Sequence, residues 1–428
     1  MAAPNDRRRL LLGALLPLAL GPAARASLMP VAPASVPALE RAGAMLAPWQ
    51  PGWLDIHHIA TGRGNATLVM LPDGTSMLID AGASFNELDV SVAPRPDASR
   101  RPGEWIGRYV RRHLGRAGLV GLDYLLATHL HPDHTGDAGD ATPLAPGGAY
   151  RLSGVTDVAA QVAIGTVVDR GYPDYNFPAR IAAPFADNYR AFIAARRKAG
   201  QRVEAFRVGS ADQFAGHAHR ATSRHFEVRN IAANGMVWTG EGSATLQLFP
   251  PLDTLARADW PNENVCSAAI RIASGRFRYF TAGDLTSYTH DGALPWQDVL
   301  GPAARAAGPV SVATADHHGM FDGLNAEVVR ALRPRAWVIP SWHIAHPDML
   351  QLERMFSERL YPGPRAVFAT TVMRENLLAN GRLTRKLHSH DGHVVVRVAP
   401  DGERFYVVVT DNGAEDDKIK LVTEQFMV

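Results

Sequence analysis

The chain has 428 residues, of which 46% are apolar and 20% are charged, and its formal charge is +2 at pH 7. This composition is typical of a globular protein with a sizeable core and excludes a disordered or fibrous chain. A charge this close to zero gives no general support for nucleic-acid binding, and the single cysteine, Cys266, excludes an intrachain disulfide.

The first 26 residues have the pattern of an export signal. Arginines at 7–9 precede an apolar run at 10–20 that is too short to cross a bilayer, and Ala-Arg-Ala at 24–26 is a small-x-small cleavage site. The adjacent arginines are typical of twin-arginine export. We therefore expect a signal peptide over 1–26, with an uncleaved anchor as the alternative, and a periplasmic or secreted product without a stable membrane anchor. Its removal would take away four arginines and one aspartate, a net +3, and leave a formal charge of −1.

Strands and turns are predicted from Gly52 onwards, after a proline- and alanine-rich leader at 27–50. The main domain is therefore expected over 51–428. Apolar runs bounded by Gly and Asp turns predict strands at 54–59, 66–71 and 76–79. The last of these ends in Asp80, which either supports metal ligands by hydrogen bonding or caps a turn. His57 and His58 lie on the first strand and are expected to be structural. A helix is predicted over 104–114 and a short buried strand over 124–127.

A dense cluster of potential metal ligands, His129-Leu130-His131-Pro132-Asp133-His134, follows that buried strand. Imidazole nitrogens and carboxylate oxygens are the ligands that zinc and its first-row neighbours prefer. Side-chain alternation aims His129 and His131 the same way, while Pro132 turns the backbone and directs Asp133 and His134 to a second spot. The segment predicts two adjacent metal positions, and a chance cluster of loop histidines is the alternative.

The region at about 141–243 has little strand signal, and its one clear predicted element is a helix over 188–200. We expect it to be a long insertion that covers or walls the site, since long excursions in compact folds are usually functional. Its histidines, His217, His219 and His225, are expected at the surface. Its possible substrate contacts, for each of which simple packing is the alternative, are Tyr172, Tyr175, Arg229 and Trp238.

Later strands each end in a potential ligand. The predicted strands at 277–281, 310–313 and 336–340 lead to Asp284, to His317 and His318, and to His346. Sites in α/β folds lie at strand ends, so these side chains are expected to meet the first cluster. In a two-metal site one carboxylate must bridge both cations; Asp284 is the candidate, with turn capping as the alternative. His346 is either a leaving-group acid or a helix-start residue, and His390 is a weaker candidate.

His-x-His-x-Asp-His is also the signature of the metallo-β-lactamase superfamily, which this chain resembles. Other segments resemble, in order and spacing, the metallo-β-lactamase domain of bacterial DNA-uptake competence proteins and, in much of the pattern, phosphorylcholine esterases. These segments are Asn262-Glu263-Asn264, the 280–284 strand end, His317-His318-Gly319 and His346-Pro347. The resemblance implies an α/β fold, the metallo-β-lactamase αβ/βα sandwich, with a long insertion after the metal loop.

The resemblance also implies a ligand set for two divalent metal ions, zinc or else manganese or iron. One metal would be held by His129 and His131, the other by Asp133, His134 and His318, with Asp284 as the bridge. The implied catalytic residues are Asp133, His317 as a proton donor or phosphate contact, and His346. Many family members have a third histidine where this chain has Asn262 and Asn264. An amide oxygen is a poorer zinc ligand, so we expect a weaker first position and a supporting role for Asn264.

Hydrolysis through a metal-bridging hydroxide is the reaction class that this ligand set predicts. A phosphoesterase or phosphodiesterase fits better than a β-lactamase or lactonase, because Cys266 does not follow a strand end and the third histidine is missing. A binding module with a degenerate metal site is the alternative of another class. The expected partner is a small-molecule or phosphoester substrate; nucleic acid is unsupported by the charge, and the oligomeric state is left open.

Overall fold

The computed structural model describes residues 40–85, 88–216 and 226–428. The predicted signal peptide and the histidines at 217, 219 and 225 lie outside these ranges. Within them, no helix combines the length and the apolar character that a membrane crossing requires.

The described residues form strands and helices that alternate along the chain. The strands are β1 Leu54–His58, β2 Thr67–Met70, β3 Ser76–Ile79, β4 Gly121–Ala127, β5 Ala163–Asp169, β6 Arg202–Ala205, β7 Phe226–Ala233, β8 Met236–Trp238, β9 Thr245–Gln247, β10 Ala269–Ser274, β11 Phe277–Thr281, β12 Val312–Thr314, β13 Ala336–Ile339, β14 Ala366–Ala369, β15 His393–Val398, β16 Arg404–Thr410, β17 Ile419–Val422 and β18 Phe426–Met427. The helices are α1 Pro102–Arg116, α2 Pro132–Thr135, α3 Val155–Ala159, α4 Pro184–Lys198, α5 Leu300–Ala307, α6 Ala326–Leu332, α7 Met349–Phe356, α8 Arg374–Ala379 and α9 Gly381–Thr384.

Two mixed sheets contain these strands. The first has the order β17-β16-β15-β1-β2-β3-β4-β5-β6, with β18 beside β16. The second has the order β14-β13-β12-β11-β10-β7-β8-β9. Each sheet has one parallel half, β3 to β6 in the first and β11 to β14 in the second.

The sheets pack face to face, and helices cover both outer faces. Strand alternation builds these layers: Val69 and Leu71 enter the core between the sheets, whereas Leu68 and Met70 enter the core under α1 and α4. A third core lies between the second sheet and α5, α6 and α7. The predicted αβ/βα sandwich is confirmed by this order of layers.

Helix α1 shows how the sequence sets these elements. Pro102 occupies its first turn, where no backbone N–H is needed, and the Glu104 carboxylate accepts a hydrogen bond from the Arg101 backbone N–H. Its arginines bind the C-terminal segment: Arg108 pairs with Glu415 and Arg112 with Asp417. The helix is thereby attached to a part of the chain three hundred residues away.

The region predicted as an insertion, 141–243, is in large part built into the sandwich, which corrects the expectation of little strand structure there. Strands β5 and β6 extend the parallel half of the first sheet, and β7 and β8 belong to the second. Strand β5 was missed because its buried half is short and its first residues alternate with exposed ones. The pairing partners that stabilise such short strands are distant in sequence.

The leader expected over 27–50 joins the domain before residue 51. Glu40 is buried and accepts hydrogen bonds from Arg397 and from the Tyr406 hydroxyl. Leu46 is also buried, and Met45 forms a β-bridge with Lys418. A buried carboxylate is stable only with such hydrogen-bond partners. The folded domain therefore includes the residues from 40 onwards.

Candidate metal centre

All six predicted metal-ligating side chains meet at the carboxyl ends of the parallel strands. His129 and His131 follow β4, and Asp133 and His134 lie in the single-turn helix α2. The remaining two, Asp284 and His318, follow β11 and β12. Together they form two groups that share Asp284: Asp133, His134, Asp284 and His318 in one, and His129, His131 and Asp284 in the other.

The two oxygens of Asp284 face different imidazole groups. Oδ1 lies 3.1 Å from His134 Nε2 and 3.5 Å from His318 Nε2, and Oδ2 lies 3.6 Å from His129 Nε2. Oδ1 is buried and has no hydrogen-bond partner among the described residues. A buried carboxylate oxygen without a partner is costly, and a shared cation would satisfy it. The two oxygens are thus placed as a carboxylate shared by two groups of ligands would require.

Four donor atoms of the group around His134 converge on one point. His134 Nε2 lies 3.2 Å from His318 Nε2, and Asp133 Oδ2 lies 2.9 Å from the same His318 nitrogen. Two imidazole nitrogens so close face each other without a hydrogen bond unless one is protonated. A cation bound between them accepts both lone pairs, so this donor set fits a divalent metal.

The group around His129 has fewer ligands. His129 Nε2 and His131 Nδ1 are 3.1 Å apart, and Asp284 is the third member; no other His, Cys, Asp or Glu joins them in the described chain. Asn262 caps a turn instead, since its Oδ1 accepts from the Val265 N–H. Asn264 Nδ2 lies 3.2 Å from His317 Nε2. The departure predicted at the third ligand is therefore visible in the geometry.

Asp80 supports the centre by hydrogen bonding. One carboxylate oxygen accepts from the Thr128 backbone N–H at 2.7 Å, and the other accepts from the Thr128 hydroxyl and from His134 Nδ1, both at 2.8 Å. The last bond directs His134 Nε2 towards the cluster and fixes its tautomer. Asp80 has φ of +59°, a left-handed conformation that Asp tolerates better than most residues.

The adjacent histidines after β12 are oriented by different acceptors. His318 Nδ1 donates to the Pro340 carbonyl at 2.9 Å, and His317 Nδ1 donates to Asp322 at 2.6 Å. Each bond leaves Nε2 free to face the cluster. The φ angles of His317 and His318 are +51° and +53°, so this turn holds two non-glycine residues in a costly left-handed conformation. Such strain is characteristic of functional sites.

The protonation states in this cluster follow from burial and charge. Burial, aided by nearby His134, lowers the pKa of His129 well below its usual value. Burial also opposes protonation of His134, but the carboxylates around it, Asp284 first, raise its pKa well above the usual value. Against a similar effect of burial, Asp284 and Asp322 raise the pKa of His317 to about 9. Binding of a cation to His134 would therefore release a proton.

His346 lies on the side of the cluster formed by the loop after β13. Its ring stacks on that of His318, with centroids 4.9 Å apart, and it also contacts Trp342. Burial and the neighbouring His318 lower the pKa of His346 well below its usual value. A neutral imidazole in this position forms a wall of the site, and its predicted role as a leaving-group acid stays a prediction.

Other predicted residues have contacts outside the cluster. His57 bonds with the Tyr109 hydroxyl and His58 with Thr67, as expected for structural histidines. The possible substrate contacts from 141–243 have packing roles: Tyr175 donates to Asp169, and the Arg229 guanidinium lies 4.8 Å from the Trp238 ring centroid. Tyr172 lies beside Arg197.

Three supporting residues were not recognised from the sequence. Glu263 accepts a hydrogen bond of 2.7 Å from the Leu130 backbone N–H and forms a buried ion pair with Arg170. These two contacts fix the backbone of the loop that carries His129 and His131. Asp322 orients His317, as described above. Glu263 lies inside the Asn-Glu-Asn segment that resembled the family, which was the available signal. Arg170 and Asp322 have no comparable signal, because their partners are distant or lie in an irregular turn.

Comparisons with known proteins find only distant similarity to solved structures. No family model and no curated protein matches the chain. It is similar to a solved metal-dependent hydrolase, described as putative, from Parabacteroides distasonis, with 12% identity, a TM-score of 0.33, and 74% of this chain and 92% of that one covered. A motif mutant of a metallo-β-lactamase from Cronobacter sakazakii has 10% identity, a TM-score of 0.30 and coverages of 60% and 75%. Human tRNase Z, short form, has 9% identity, a TM-score of 0.28 and coverages of 66% and 91%. TM-scores this low carry no argument about this chain, so the assignment of its fold depends on its own sequence motifs and layer order.

Proposed function

We propose that this protein is a metal-dependent hydrolase with a two-metal centre. The observation that carries the proposal is Asp284, whose two oxygens face two separate imidazole groups while one of them has no other partner among the described residues. One position would be held by His129, His131 and Asp284, and the other by Asp133, His134, His318 and Asp284. We propose zinc as the ion, with manganese or iron as alternatives.

The chain supplies orientation and charge around this centre. Two bound divalent cations, when present, acidify a shared water and stabilise negative charge on the attacking and leaving oxygens. His317, held by Asp322 on its Nδ1, presents Nε2 within 3.9 Å of Asp284 Oδ2. When protonated on Nε2, a form that the Asp322 carboxylate favours, it would donate a hydrogen bond to an anionic substrate oxygen. Asp80 and Pro340 keep the rings of His134 and His318 fixed while the substrate reacts.

We propose a phosphoester, and in particular a phosphodiester, as the substrate. A cationic donor beside the bridging carboxylate suits a phosphate oxygen better than the neutral carbonyl of a lactam. The thiolate ligand of one class of β-lactamases has no counterpart, because Cys266 is buried in the interior and burial raises the pKa of its thiol to about 12. We also propose, from the pattern at 1–26, that the protein is exported.

A chromogenic panel tests the proposal. The purified protein, loaded with zinc or manganese, is expected to hydrolyse bis(p-nitrophenyl) phosphate or p-nitrophenyl phosphorylcholine, and Asp284→Asn is expected to reduce the rate by at least about 10³-fold because both positions lose their shared ligand. The control is Asp253→Asn, an exposed aspartate in a short turn that belongs to neither metal-ligating group. Cleavage of a chromogenic cephalosporin or a lactone, with both phosphodiesters untouched, would contradict the proposed substrate.

A binding module with a degenerate site is the second candidate. The observation that favours it is the group around His129, which offers three ligands against four in the other group. Metal analysis separates the two functions. Two bound ions per chain, with turnover, support the hydrolase, whereas one ion or none, without turnover of any ester in the panel, supports the binding module.

A further inference from the structure

A second pocket lies along the same edge of the sheet as the metal cluster. It has a volume of about 390 Å³ and lies between the segment at 91–95 and the residues that follow β14 and precede β15. Its apolar part includes Val92, Val372 and Leu377, and its polar part includes Arg95, Arg374 and His390. None of these residues belongs to the two metal-ligating groups.

The strand order places this pocket close to the metal cluster. Strands β12, β13 and β14 are parallel neighbours, so their carboxyl ends are adjacent. His318 follows the first of them and Thr371 follows the third. The ends of these two strands are two strand spacings apart, which corresponds to about 10 Å. The Ser341 hydroxyl donates to the Thr371 carbonyl at 2.7 Å, which fixes the two loops to each other.

Trp342 connects the pocket directly to the cluster. Its carbonyl accepts a hydrogen bond of 2.8 Å from the backbone N–H of Val92, a lining residue of the pocket. Its ring centroid lies 5.8 Å from that of His318, in an edge-to-face arrangement. Trp342 therefore contacts both His318 and the segment that forms one wall of the pocket.

The pocket has an excess of positive charge. Among the residues that the structure describes, neither Arg95 nor Arg374 has a carboxylate partner, and Arg95 Nε is buried without a hydrogen bond. Asp391, the one acidic lining residue, already accepts from Lys420 at 3.2 Å and from Asn412 at 3.2 Å. Two guanidinium groups beside a single, already paired aspartate give the pocket a net positive charge, which favours an anionic ligand.

We propose that this pocket is a substrate subsite that binds an anionic group carried on an apolar body. The guanidinium groups of Arg95 and Arg374 would bind the anion, and Val92, Val372 and Leu377 would contact the apolar part. The proposal rests on the proposed function and narrows the substrate to a phosphoester that carries a second anionic group on an apolar arm. His390, expected from the sequence to be a weak site candidate, then belongs to this subsite and not to the metal centre.

The first experiment measures binding and needs no turnover. The probe is 8-anilinonaphthalene-1-sulfonate, an aromatic sulfonate, titrated by fluorescence into the metal-loaded protein. The double variant Arg95→Gln/Arg374→Gln is expected to weaken binding of the probe by at least about tenfold. This factor is the low end for the loss of charge-assisted hydrogen bonds, because the pocket is partly exposed to solvent. Arg374→Gln alone, at an exposed position that leaves folding unaffected, is expected to weaken it several-fold. Arg382→Gln, an exposed arginine paired with Glu353, is the matched control and should change nothing.

The second experiment measures turnover of two matched p-nitrophenyl phosphodiesters, whose second arm ends in a carboxylate or in a neutral amide. The double variant is expected to raise KM about tenfold for the carboxylate substrate and to leave kcat and the amide substrate unchanged. Unchanged probe binding in the double variant overturns the anion pocket, and an equal effect on both substrates overturns its role as a subsite. If no phosphodiester is cleaved but probe binding depends on the arginines, the proposed function fails and the anion pocket stands.

Discussion

Asp80→Asn is the substitution that most directly tests how the second metal position is built. Asparagine has nearly the same shape as aspartate and tolerates the φ of +59° at this position. Its carbonyl oxygen can still accept from the Thr128 backbone N–H. Its NH₂ group, however, would face the three donors that the second carboxylate oxygen of Asp80 now accepts from, which are Asn65 Nδ2, the Thr128 hydroxyl and His134 Nδ1. The charge-assisted bond that orients His134 is therefore lost, while the packing is kept.

The expected loss can be worked out from that one bond. A hydrogen bond to a charged group contributes about 1.5–3 kcal/mol, which corresponds to about 10–100-fold in an equilibrium constant. Loss of a partner that orients a ligand typically costs about the same factor in metal affinity. We expect the ion held by Asp133, His134 and His318 to bind about 10–100-fold more weakly in Asp80→Asn, and the rate at limiting metal to fall by the same factor.

The assay is a competition between the protein and a chromophoric chelator, with metal stoichiometry measured at each step. Asp123→Asn is the matched control, since Asp123 lies at the opposite end of β4 and accepts from the Ser76 backbone N–H at 2.8 Å and hydroxyl at 3.1 Å. It should lower stability without changing metal affinity. An Asp80→Asn protein that keeps both ions at the wild-type affinity would refute this reasoning.

Two further predictions concern buried charges that are not themselves candidate metal ligands. Glu263→Gln leaves the buried Arg170 guanidinium without its carboxylate, so we expect it to lower the free energy of unfolding, measured in urea, by about 3–5 kcal/mol. The control Glu227→Gln removes ion pairs that are more exposed and should cost at most about 1 kcal/mol. Equal losses in the two variants would contradict this. Burial alone would raise the pKa of Asp417, but hydrogen bonds from His113 and Arg112 hold it well below its usual range. The ion pairs of Asp417 therefore stabilise the fold at pH values above the unfolded pKa of about 3.9. This stabilisation is lost as the pH falls below that value. Asp417→Asn should therefore destabilise the protein most near neutral pH, and a difference from wild type in urea unfolding that does not shrink from pH 7 to pH 3.5 would contradict this.

The clustering of the candidate ligands was predictable from the sequence because each of them is marked by a local pattern. Residues 129–134 follow a short apolar run, and Asp284 and His318 follow runs of the same kind. Parallel strands bring their carboxyl ends to one edge, so such a pattern implies a shared site. Asp80 was predictable in part, since the sequence left open whether it supports the ligands or caps a turn. The four hydrogen bonds it accepts, from Asn65, Thr128 and His134, decide for support.

Contacts between distant segments were not predictable from local patterns. The pair of Glu263 and Arg170 joins positions 93 residues apart, and neither residue type is usually buried. Strands β5 and β6 are stable because they extend a sheet whose earlier strands lie elsewhere in the chain. The pocket with Arg95 and Arg374 likewise combines two segments about 280 residues apart in sequence, so it needs the folded structure to be seen.

The two proposed metal positions differ in a way that predicts their order of loading. The group around His134 has four ligands and the group around His129 has three, with Asp284 common to both. Fewer protein ligands bind an ion less tightly, and an open position leaves room for water or substrate. In a chelator titration we therefore expect the ion held by His129 and His131 to leave first, with a Kd at least about tenfold weaker, equivalent to roughly 1.4 kcal/mol.

Paired variants assign that order to the residues. His131→Ala removes a ligand of the three-membered group only, so it should leave one tightly held ion and abolish the weaker step. His318→Ala removes a ligand of the four-membered group only, and should weaken the tighter step until the two ions are lost together. Because Asp284 is shared, a small effect of each variant on the other position is expected. If the wild-type protein releases both ions in a single step, or if His131→Ala loses both, then the difference in ligand number does not control affinity at this centre.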